Sequence, residues 1–274
     1  MITNLSKKQY FKGKMILKTK LTKSLYWVCL IGNILFFQLY IQPAKSDQLD
    51  VNLTTNITEK TSENRSIATG FFVNDAGYLV TSYHVIDGFK NIKVLVDRKR
   101  LFKAKVIKTN KELDLALLKV NAITPFLYLS HSKGVPAGMD VVTIGFPQVA
   151  IQGLTPKITR GIVNSSTGLR DNKDSFQFSA EVQKGNSGGP LIGPGGTVVG
   201  VVQSKLDALK ISEATNDLTQ NVNFSTKSAI LLGFLEGMPD LPTTRPLQPE
   251  QPLKAIRIYL ELENAIVPII SDNE

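Results

Sequence analysis

The sequence contains one glycine-rich stretch, QKGNSGGPLIG at residues 183–193, in which Ser187 is the centre of a G-x-S-x-G pattern. A serine in that setting is a candidate nucleophile, and such a serine needs a neighbouring base, most often a histidine. The chain has only two histidines, His84 and His131, and both precede Ser187. The order of base and nucleophile along the chain therefore restricts which folds can bring them together, unless the stretch is a turn without chemistry.

Two folds that present a reactive serine do not fit this order. In α/β-hydrolases the acid and then the histidine follow the serine, but no histidine follows Ser187. In the subtilisin order an acid precedes the histidine, and the candidate acid, Asp75, lies in a turn nine residues before His84. That fold also needs helices alternating with strands, a pattern that this sequence lacks. The order histidine, aspartate, serine remains.

The residues from Ser66 onward have the sequence pattern of an all-β protein. Short runs of β-branched and aromatic residues are separated by turn signals, such as NDAG at 74–77 and GPGG at 193–196. Many short strands at close spacing favour an antiparallel barrel or sandwich over a βαβ sheet. One helix is predicted near the end, over KSAILLGFLEG, with Thr226 as its cap and Gly237 as its end.

Candidate partners for the serine lie in two apolar contexts. His84 follows an apolar run in LVTSYHVIDG, and Asp114 stands between two leucines in ELDLALLKV. A carboxylate so framed is expected to be buried and to need a hydrogen-bond partner, which an imidazole N–H supplies. In the general triad mechanism Ser187 attacks a carbonyl, the histidine carries its proton to the leaving group, and the aspartate fixes the histidine tautomer. Asp97 and Asp140 are rival acids, but neither has the same apolar framing.

Three stretches together, TGFFVNDAGYLVTSYHVIDG, LDLALLKV and GNSGGPLIGPGGTVVGVV, resemble the catalytic blocks of trypsin-like serine proteases, and within these the bacterial HtrA/Deg group. The resemblance covers roughly residues 66–237, and three blocks in order are far more specific than one motif. It implies a chymotrypsin fold of two six-stranded antiparallel β-barrels with a C-terminal helix. The first barrel, about 66–130, would hold the histidine and aspartate, and the second, about 137–237, the serine.

The glycines beside the serine also gain a role from this resemblance. The backbone amides of Gly185 and Ser187 are the candidates for the oxyanion hole, which requires unusual dihedral angles near Gly185. Asn186 stands where digestive members of the family carry an aspartate that receives a newly cut N-terminal ammonium. Activation by that cleavage is therefore not expected, and HtrA-like proteins share the asparagine. HtrA proteins usually continue into PDZ domains, for which no counterpart is expected in this sequence, so regulation and oligomeric state are left open.

Substrate-binding residues are predicted on two segments. Glu181 lies six residues before the serine, where in trypsin-like folds a side chain can reach the base of the primary specificity pocket and favour Lys or Arg. The alternation of FQFSAEVQ instead points Glu181 to solvent, which is the interpretation we favour. The strand GVVQS at 200–204 is expected to form a free edge that pairs with the substrate backbone through Val201, Val202 and Gln203.

The N-terminal residues 1–46 predict export. They contain eight lysines, no acidic residue, the apolar run LYWVCLIGNILFFQLYIQ and a small-x-small site, as a cleaved signal peptide does. An uncleaved anchor is the alternative, and membrane contact is expected only in that case. Either way the protein is expected to be periplasmic or secreted. Residues 47–65 are then a flexible leader.

Composition excludes several other classes of protein. Without the eight N-terminal lysines, 24 basic residues face 23 acidic ones, so the domain lacks the basic excess of a nucleic-acid binder. The single cysteine, Cys29, lies in the N-terminal segment, so no disulfide is expected in the exported part. Two histidines without further cysteines exclude a Cys/His zinc site, and no metal or cofactor is indicated.

The C-terminal residues are predicted to form a linker followed by a tail. Five prolines make residues 238–252 a stiff linker. Residues 253–274 then alternate, with Ile256, Ile258, Leu260 and Leu262 on one side, which predicts a docked, half-buried strand. The sequence as a whole predicts an exported serine endopeptidase that acts on unfolded or extended polypeptides. A non-catalytic peptide- or partner-binding module of the cell envelope and an esterase are the alternatives.

Overall fold

The computed structural model describes residues 65–203, 221–247 and 252–273. The predicted signal peptide or anchor at 1–46 and all but the last residue of the predicted leader lie outside the described residues. Within the ranges just given, no helix combines the length and the apolar character that crossing a membrane requires.

β-Strands are the main regular structure of the described chain. The strands are β1 (Arg65–Phe72), β2 (Tyr78–Thr81), β3 (Asn91–Val96), β4 (Arg100–Lys103), β5 (Lys105–Asn110), β6 (Leu115–Lys119), β7 (Leu129–Ser130), β8 (Asp140–Gly145), β9 (Lys157–Ser165), β10 (Ser175–Phe178), β11 (Pro190–Ile192), β12 (Val198–Val202), β13 (Asn223–Lys227), β14 (Thr244–Arg245) and β15 (Ile266–Asp272). The α-helices are α1 (Val149–Gln152), α2 (Ser228–Leu235) and α3 (Ala255–Leu262). Three short 3-10 turns cover Tyr83–Val85, Leu169–Asp171 and Glu263–Ala265.

The first sheet is a curled half-barrel in the order β4-β3-β15-β1-β2-β6-β5. All of its neighbouring strands are antiparallel. Its inner face is apolar because alternate residues of β1, β2, β3 and β6 point inward, among them Phe72, Leu79, Val94 and Leu118. One of its seven strands, β15, comes from the far end of the chain and lies between β1 and β3.

The second sheet closes on itself. Its strands follow the order β11-β8-β9-β10-β13-β12, and β12 pairs back with β11, which completes a six-stranded barrel. Its core holds Phe176, Phe178 and Leu191. Strands β7 and β14 extend it with parallel pairs beyond β12, so β7 belongs to this sheet and not to the first barrel. The predicted all-β double-barrel fold is confirmed.

The helix predicted over KSAILLGFLEG is α2, and its cap was predicted wrongly. Thr226 is still part of β13, and the residue before the helix is Lys227, which makes no capping hydrogen bond through its side chain. The helix ends before Gly237, whose φ is +82°, in the left-handed region that glycine tolerates best. Leu231 and Phe234 of α2 are buried in a core cluster that draws residues from both sheets.

The strand predicted over residues 256–262 is a helix instead. In α3, Ile258 is 2% exposed, whereas Ile256 and Leu260 are 67% and 64% exposed, so the alternation does not define a buried face. The helical spacing of four residues instead sets Ile258 and Leu262 toward the core. The tail does contribute a docked strand, but it is β15, which begins four residues after α3 ends.

The C-terminal segment, residues 252–272, is attached to both sheets. The amide of Leu253 donates to the carbonyl of Pro194 at 2.8 Å, and the Tyr259 hydroxyl donates to the carbonyl of Pro156 at 3.3 Å. Strand β15 then pairs over its full length with β1, and Lys93 Nζ lies 2.8 Å from Asp272 Oδ2. Because α3 contacts the second barrel and β15 completes the first, this segment is an integral part of the fold.

The importance of β15 can be tested by truncating one of its side chains. Ile269 is fully buried against β1 and β3, and Ile269→Ala is expected to lower the free energy of unfolding by about 2–5 kcal/mol because it removes packed methyl groups and leaves a cavity. Chemical denaturation of the purified protein measures this change.

The matched control is Ile256→Ala, in the same segment but 67% exposed. It should change the free energy of unfolding by no more than about 0.5 kcal/mol, as surface substitutions usually do. Equal effects of the two substitutions would mean that β15 is not docked as described.

Candidate active site

His84 and Asp114 are in direct contact. His84 lies in the 3-10 turn that follows β2, and Asp114 lies in the turn between β5 and β6. Asp114 Oδ2 is 2.8 Å from His84 Nδ1, and Asp114 Oδ1 accepts the backbone N–H of His84 at 2.9 Å. Because a carboxylate only accepts hydrogen bonds, this contact places a proton on Nδ1 and leaves Nε2 as the basic nitrogen. The predicted pairing of these two residues is therefore present.

The backbone around Asp114 is fixed by its neighbours. Its φ is +53°, in a left-handed region that aspartate enters more readily than most residues. The amide of Asp114 donates to Lys111 O at 3.3 Å, and its carbonyl accepts the Tyr83 N–H at 3.2 Å. The side chains of His84 and Asp114 are 34% and 23% exposed, respectively. The pair thus lies at a partly open surface, where a substrate can reach the imidazole.

Ser187 lies in the loop of residues 183–189 that leads into β11, and it is only 9% exposed. Two glycines of this loop have positive φ, Gly185 at +107° and Gly188 at +78°. A Cβ on Gly185 would lie 2.4 Å from the carbonyl oxygen of Phe146, and a Cβ on Gly188 would lie 2.3 Å from Thr81 Oγ1. The glycines are therefore required both by their dihedral angles and by the close approach of backbone and side-chain atoms of other segments.

Three amide groups close to Ser187 have protein acceptors. The N–H of Asn186 donates to Gln183 O at 3.0 Å, that of Gly188 to Val202 O at 2.9 Å, and that of Gly189 to Asn186 O at 3.0 Å.

In contrast, the N–H groups of Gly185 and Ser187 donate to no acceptor among the residues that the structure describes. They are the two donors predicted from the sequence for an oxyanion hole. Their availability fits that role, which stays a prediction.

Thr69 of β1 holds the same loop from the opposite sheet. Its backbone N–H donates to Ser187 O at 3.1 Å, and its hydroxyl donates to Gly185 O at 2.6 Å. The sequence analysis did not single out Thr69. Its only signal was its position at the start of the first of the three blocks, because the hydroxyl becomes informative only when β1 is seen beside the loop.

Ser187 and His84 are brought close through their neighbours. A Cβ on Gly188 would be 2.5 Å from the amide nitrogen of Ser82, two residues before His84. The Thr226 hydroxyl of the second barrel donates at 3.5 Å to the carbonyl of Leu113, next to Asp114. Over the described ranges, no hydrogen bond joins Ser187 to His84 directly. Catalytic hydrogen bonds are often long until substrate binds, so this geometry is compatible with a serine and its base.

Glu181 faces solvent, as the alternation of its strand suggested. Its carbonyl accepts the Thr159 hydroxyl at 2.7 Å, and its carboxylate accepts the Gln183 side-chain amide at 3.4 Å. Its neighbours Ala180 and Val182 are buried. The carboxylate therefore has no buried position from which to select a basic substrate side chain.

The predicted free edge at 200–204 is wrong for Val201 and Val202. Strand β12 is paired with β11 on one side and β13 on the other, and both valines are 1% exposed. The amide and carbonyl of Val202 are already bonded to Gly189 and Gly188. Gln203 donates its backbone N–H to Phe224 O and its side-chain amide to the Thr226 hydroxyl. The rest of the predicted edge, Ser204, lies outside the described residues.

Two further features concern the surroundings of His84. The Tyr83 hydroxyl donates to Asp87 at 2.8 Å, and this hydrogen bond raises the pKa of Tyr83 because the carboxylate stabilises the protonated phenol. The backbone N–H of His131 donates to Arg245 O. Across the described ranges, no three His, Cys, Asp or Glu side chains are grouped so that they could hold a metal ion.

Comparison with known proteins finds a matching family model and similar bacterial proteins. The family model described as Trypsin-like peptidase domain matches residues 68–201. The Sinorhizobium fredii protein named Uncharacterized protein y4bJ is 41% identical over 170 residues, which are 62% of this chain and 27% of that protein. A Halomonas elongata protein named probable periplasmic serine endoprotease DegP-like is 36% identical over 143 residues, 51% of this chain and 29% of the relative.

A solved structure agrees with these relatives. The structure described as HtrA-type protease AlgW with decapeptide has a TM-score of 0.51 and 26% identity, and the match covers 60% of this chain and 49% of that chain. The chain spans less than a third of the length of the two curated relatives. Residues 68–201 thus match the trypsin-like peptidase domain, and the relatives and the solved structure support a trypsin-like serine protease domain of the HtrA type.

Proposed function

We propose that the protein is an exported serine endopeptidase that cleaves unfolded or extended polypeptides through an acyl-enzyme. One observation carries the proposal. In the loop of residues 183–189, the N–H groups of Asn186, Gly188 and Gly189 are bonded within the loop or to β12, whereas those on either side of Asn186, from Gly185 and Ser187, donate to no acceptor among the described residues. Two free donors beside a serine can stabilise the oxyanion of a tetrahedral intermediate. A histidine held by a carboxylate nearby can serve as the base.

The reaction would proceed in two stages. In the first, Ser187 Oγ attacks the carbonyl carbon of the peptide while His84 Nε2 accepts the hydroxyl proton. The oxyanion forms against the two free amides, and His84 then delivers the proton to the leaving amine as the C–N bond breaks. In the second stage His84 takes a proton from water as the water oxygen attacks the acyl carbon. His84 then passes that proton to Ser187 Oγ as the ester bond breaks, which releases the acid and restores the serine hydroxyl. Asp114 keeps the proton on Nδ1 and stabilises the imidazolium.

Relatives support the substrate class and the compartment. The Halomonas elongata relative is named a periplasmic endoprotease, and the AlgW structure holds a decapeptide. A polypeptide substrate and export follow by analogy, and export also agrees with the lysine-rich, apolar N-terminal segment at 1–46. Membrane contact is expected only if that segment remains attached.

Removal of the nucleophile is the first test. Ser187→Ala is expected to lower turnover of denatured casein by ~10⁶, as the loss of a triad serine does. In the unaltered protein, an organofluorophosphate should attach to Ser187, and peptide mapping by mass spectrometry locates the adduct. An adduct elsewhere, together with unchanged casein cleavage by Ser187→Ala, contradicts the proposal.

The two histidines form a matched pair for the second test. His84→Ala is expected to lower turnover by ~10⁶ because it removes the general base. His131→Ala should leave turnover within about twofold, as a surface substitution outside the site does. Casein cleavage by each variant is measured and normalised to the amount of folded protein, which circular dichroism gives. Similar losses would exclude a specific catalytic role for His84.

The third test concerns the carboxylate. Asp114→Asn keeps the shape of the side chain but offers an N–H where an acceptor is needed, so it is expected to favour the wrong histidine tautomer. In the general triad this change lowers kcat by ~10⁴. Steady-state kinetics on a short peptide amide measure it, and a kcat within about tenfold of the unaltered value would remove Asp114 from the mechanism.

A peptide-binding module without catalysis is the second candidate. It is favoured by one observation, namely that Ser187 and His84 are not hydrogen-bonded in the described residues. Fluorescence anisotropy with a labelled unfolded peptide separates the candidates. Binding that survives Ser187→Ala, without turnover by the unaltered protein, supports the module, whereas turnover by the unaltered protein excludes it. Parallel assays with ester and amide substrates separate the peptidase from an esterase.

A further inference from the structure

Thr69 is fully buried, and each of its polar groups has a partner. Its backbone carbonyl accepts the Thr81 hydroxyl at 2.8 Å, and its own hydroxyl accepts the Phe146 N–H at 3.0 Å. The same hydroxyl donates to Gly185 O, and the Thr69 N–H donates to Ser187 O. A single side chain of the first sheet therefore links two segments of the second barrel, residue 146 after β8 and the loop that bears the serine.

We infer that the Thr69 hydroxyl is a positioning group for the oxyanion hole, an assignment that rests on the proposed function. It touches neither the substrate nor a reacting atom in this account. It acts by fixing the carbonyl of Gly185, so that the two free N–H groups on either side of that carbonyl keep a common direction.

The backbone bonds show why this one carbonyl matters. The peptide between Gly185 and Asn186 separates the two free donors along the chain. Its C=O end is held by Thr69, and its N–H end donates to Gln183 O at 3.0 Å. Next to it, the carbonyl of Lys184 accepts the Gln148 N–H at 2.8 Å. Both ends of the peptide are thus fixed, and its C=O end depends on a side chain from the other sheet.

Gly185 makes this peptide depend more strongly on the Thr69 hydroxyl. A glycine at φ +107° has no side chain to restrict its dihedral angles, so the peptide that follows it is less restrained than one that follows a residue with a side chain. The hydroxyl of Thr69 supplies the restraint. By comparison, the bond from the Thr69 amide to Ser187 O is made by backbone and would survive any substitution except proline.

Shape also distinguishes threonine at this position. A Cβ built on Gly189 would lie 3.1 Å from Thr69 Cγ2, so the methyl group already packs on the loop. A Cβ built on Gly145 would lie 2.9 Å from Thr69 Oγ1. The two branches of the side chain are therefore enclosed by glycines, and valine can replace threonine in outline while it lacks the hydroxyl.

The test is a series at position 69 in the full chain: Thr69→Ser, Thr69→Cys and Thr69→Val. The rate per active site is measured on a peptide amide, with active sites counted by organofluorophosphate titration so that misfolded protein does not enter the rate. We expect kcat to be highest for Thr69→Ser, lower for Thr69→Cys and lowest for Thr69→Val. Thr69→Val should lose ~10- to 100-fold, less than the loss of an oxyanion donor itself, and KM should change by less than about threefold because the hydroxyl does not contact substrate.

Thr124→Val is the matched control. Thr124 is also buried, and its hydroxyl donates to a backbone carbonyl, Asn74 O at 3.3 Å, away from the loop that bears the serine. It should lower the melting temperature in the same way as Thr69→Val while its kcat per active site stays within twofold of the unaltered value. If Thr69→Val does not fold, the comparison of Thr69→Ser with Thr69→Cys gives the same answer.

The possible outcomes distinguish the inference about Thr69 from the proposed function. A kcat per active site that falls with loss of the hydroxyl and recovers in Thr69→Ser supports the inference. Active unaltered protein with an unchanged kcat per active site in Thr69→Val overturns the inference and leaves the proposed function intact. Unaltered protein that neither cleaves peptides nor reacts at Ser187 overturns the proposed function itself.

Discussion

The arrangement of the site depends on hydrogen bonds that cross between the two sheets. Ser187 belongs to the second barrel and His84 and Asp114 to the first sheet, so neither sheet can hold a complete site. Thr69 spans the junction, with its amide on Ser187 O and its hydroxyl on Gly185 O. Because these groups are buried, leaving them unpaired would cost more than their bonds contribute in water. The junction therefore favours one alignment of the serine loop against the histidine.

The C-terminal segment extends this dependence to the far end of the chain. Strand β15 lies directly beside β1, with Pro268 opposite Thr69 and Ile269 packed against the glycine that follows Thr69. A strand paired on both sides is held in register along its whole length. The position of the residue that supports the serine loop is thus set by residues almost two hundred positions later. The pairing of β15 with β1 therefore makes a C-terminal strand necessary for the geometry around Thr69.

Local chemistry in the sequence predicted much of the fold and the contact between His84 and Asp114, and long-range packing accounts for what it missed. The contact of Asp114 with His84 was predictable because a carboxylate framed by leucines must find a partner. The double barrel was predictable from many short strands. Thr69 was not, because its role exists only once β1 lies against the loop. Helix α3 was missed because four apolar residues at alternate positions also satisfy a helical spacing. The burial of Val202 was missed because its pairing with β13 and its hydrogen bonds to the serine loop are non-local.

The central claim is that Ser187 reacts while the amides of Gly185 and Ser187 bind the oxyanion. A crystal structure of the protein with a peptide boronic acid tests this most directly, since the boronate imitates the tetrahedral intermediate. The account predicts a covalent bond from Ser187 Oγ to boron, with one boronate oxygen about 2.7–3.1 Å from both amide nitrogens and another facing His84 Nε2. A boronate bound to another residue, or bound to Ser187 with its oxygens turned away from both amides, would contradict it.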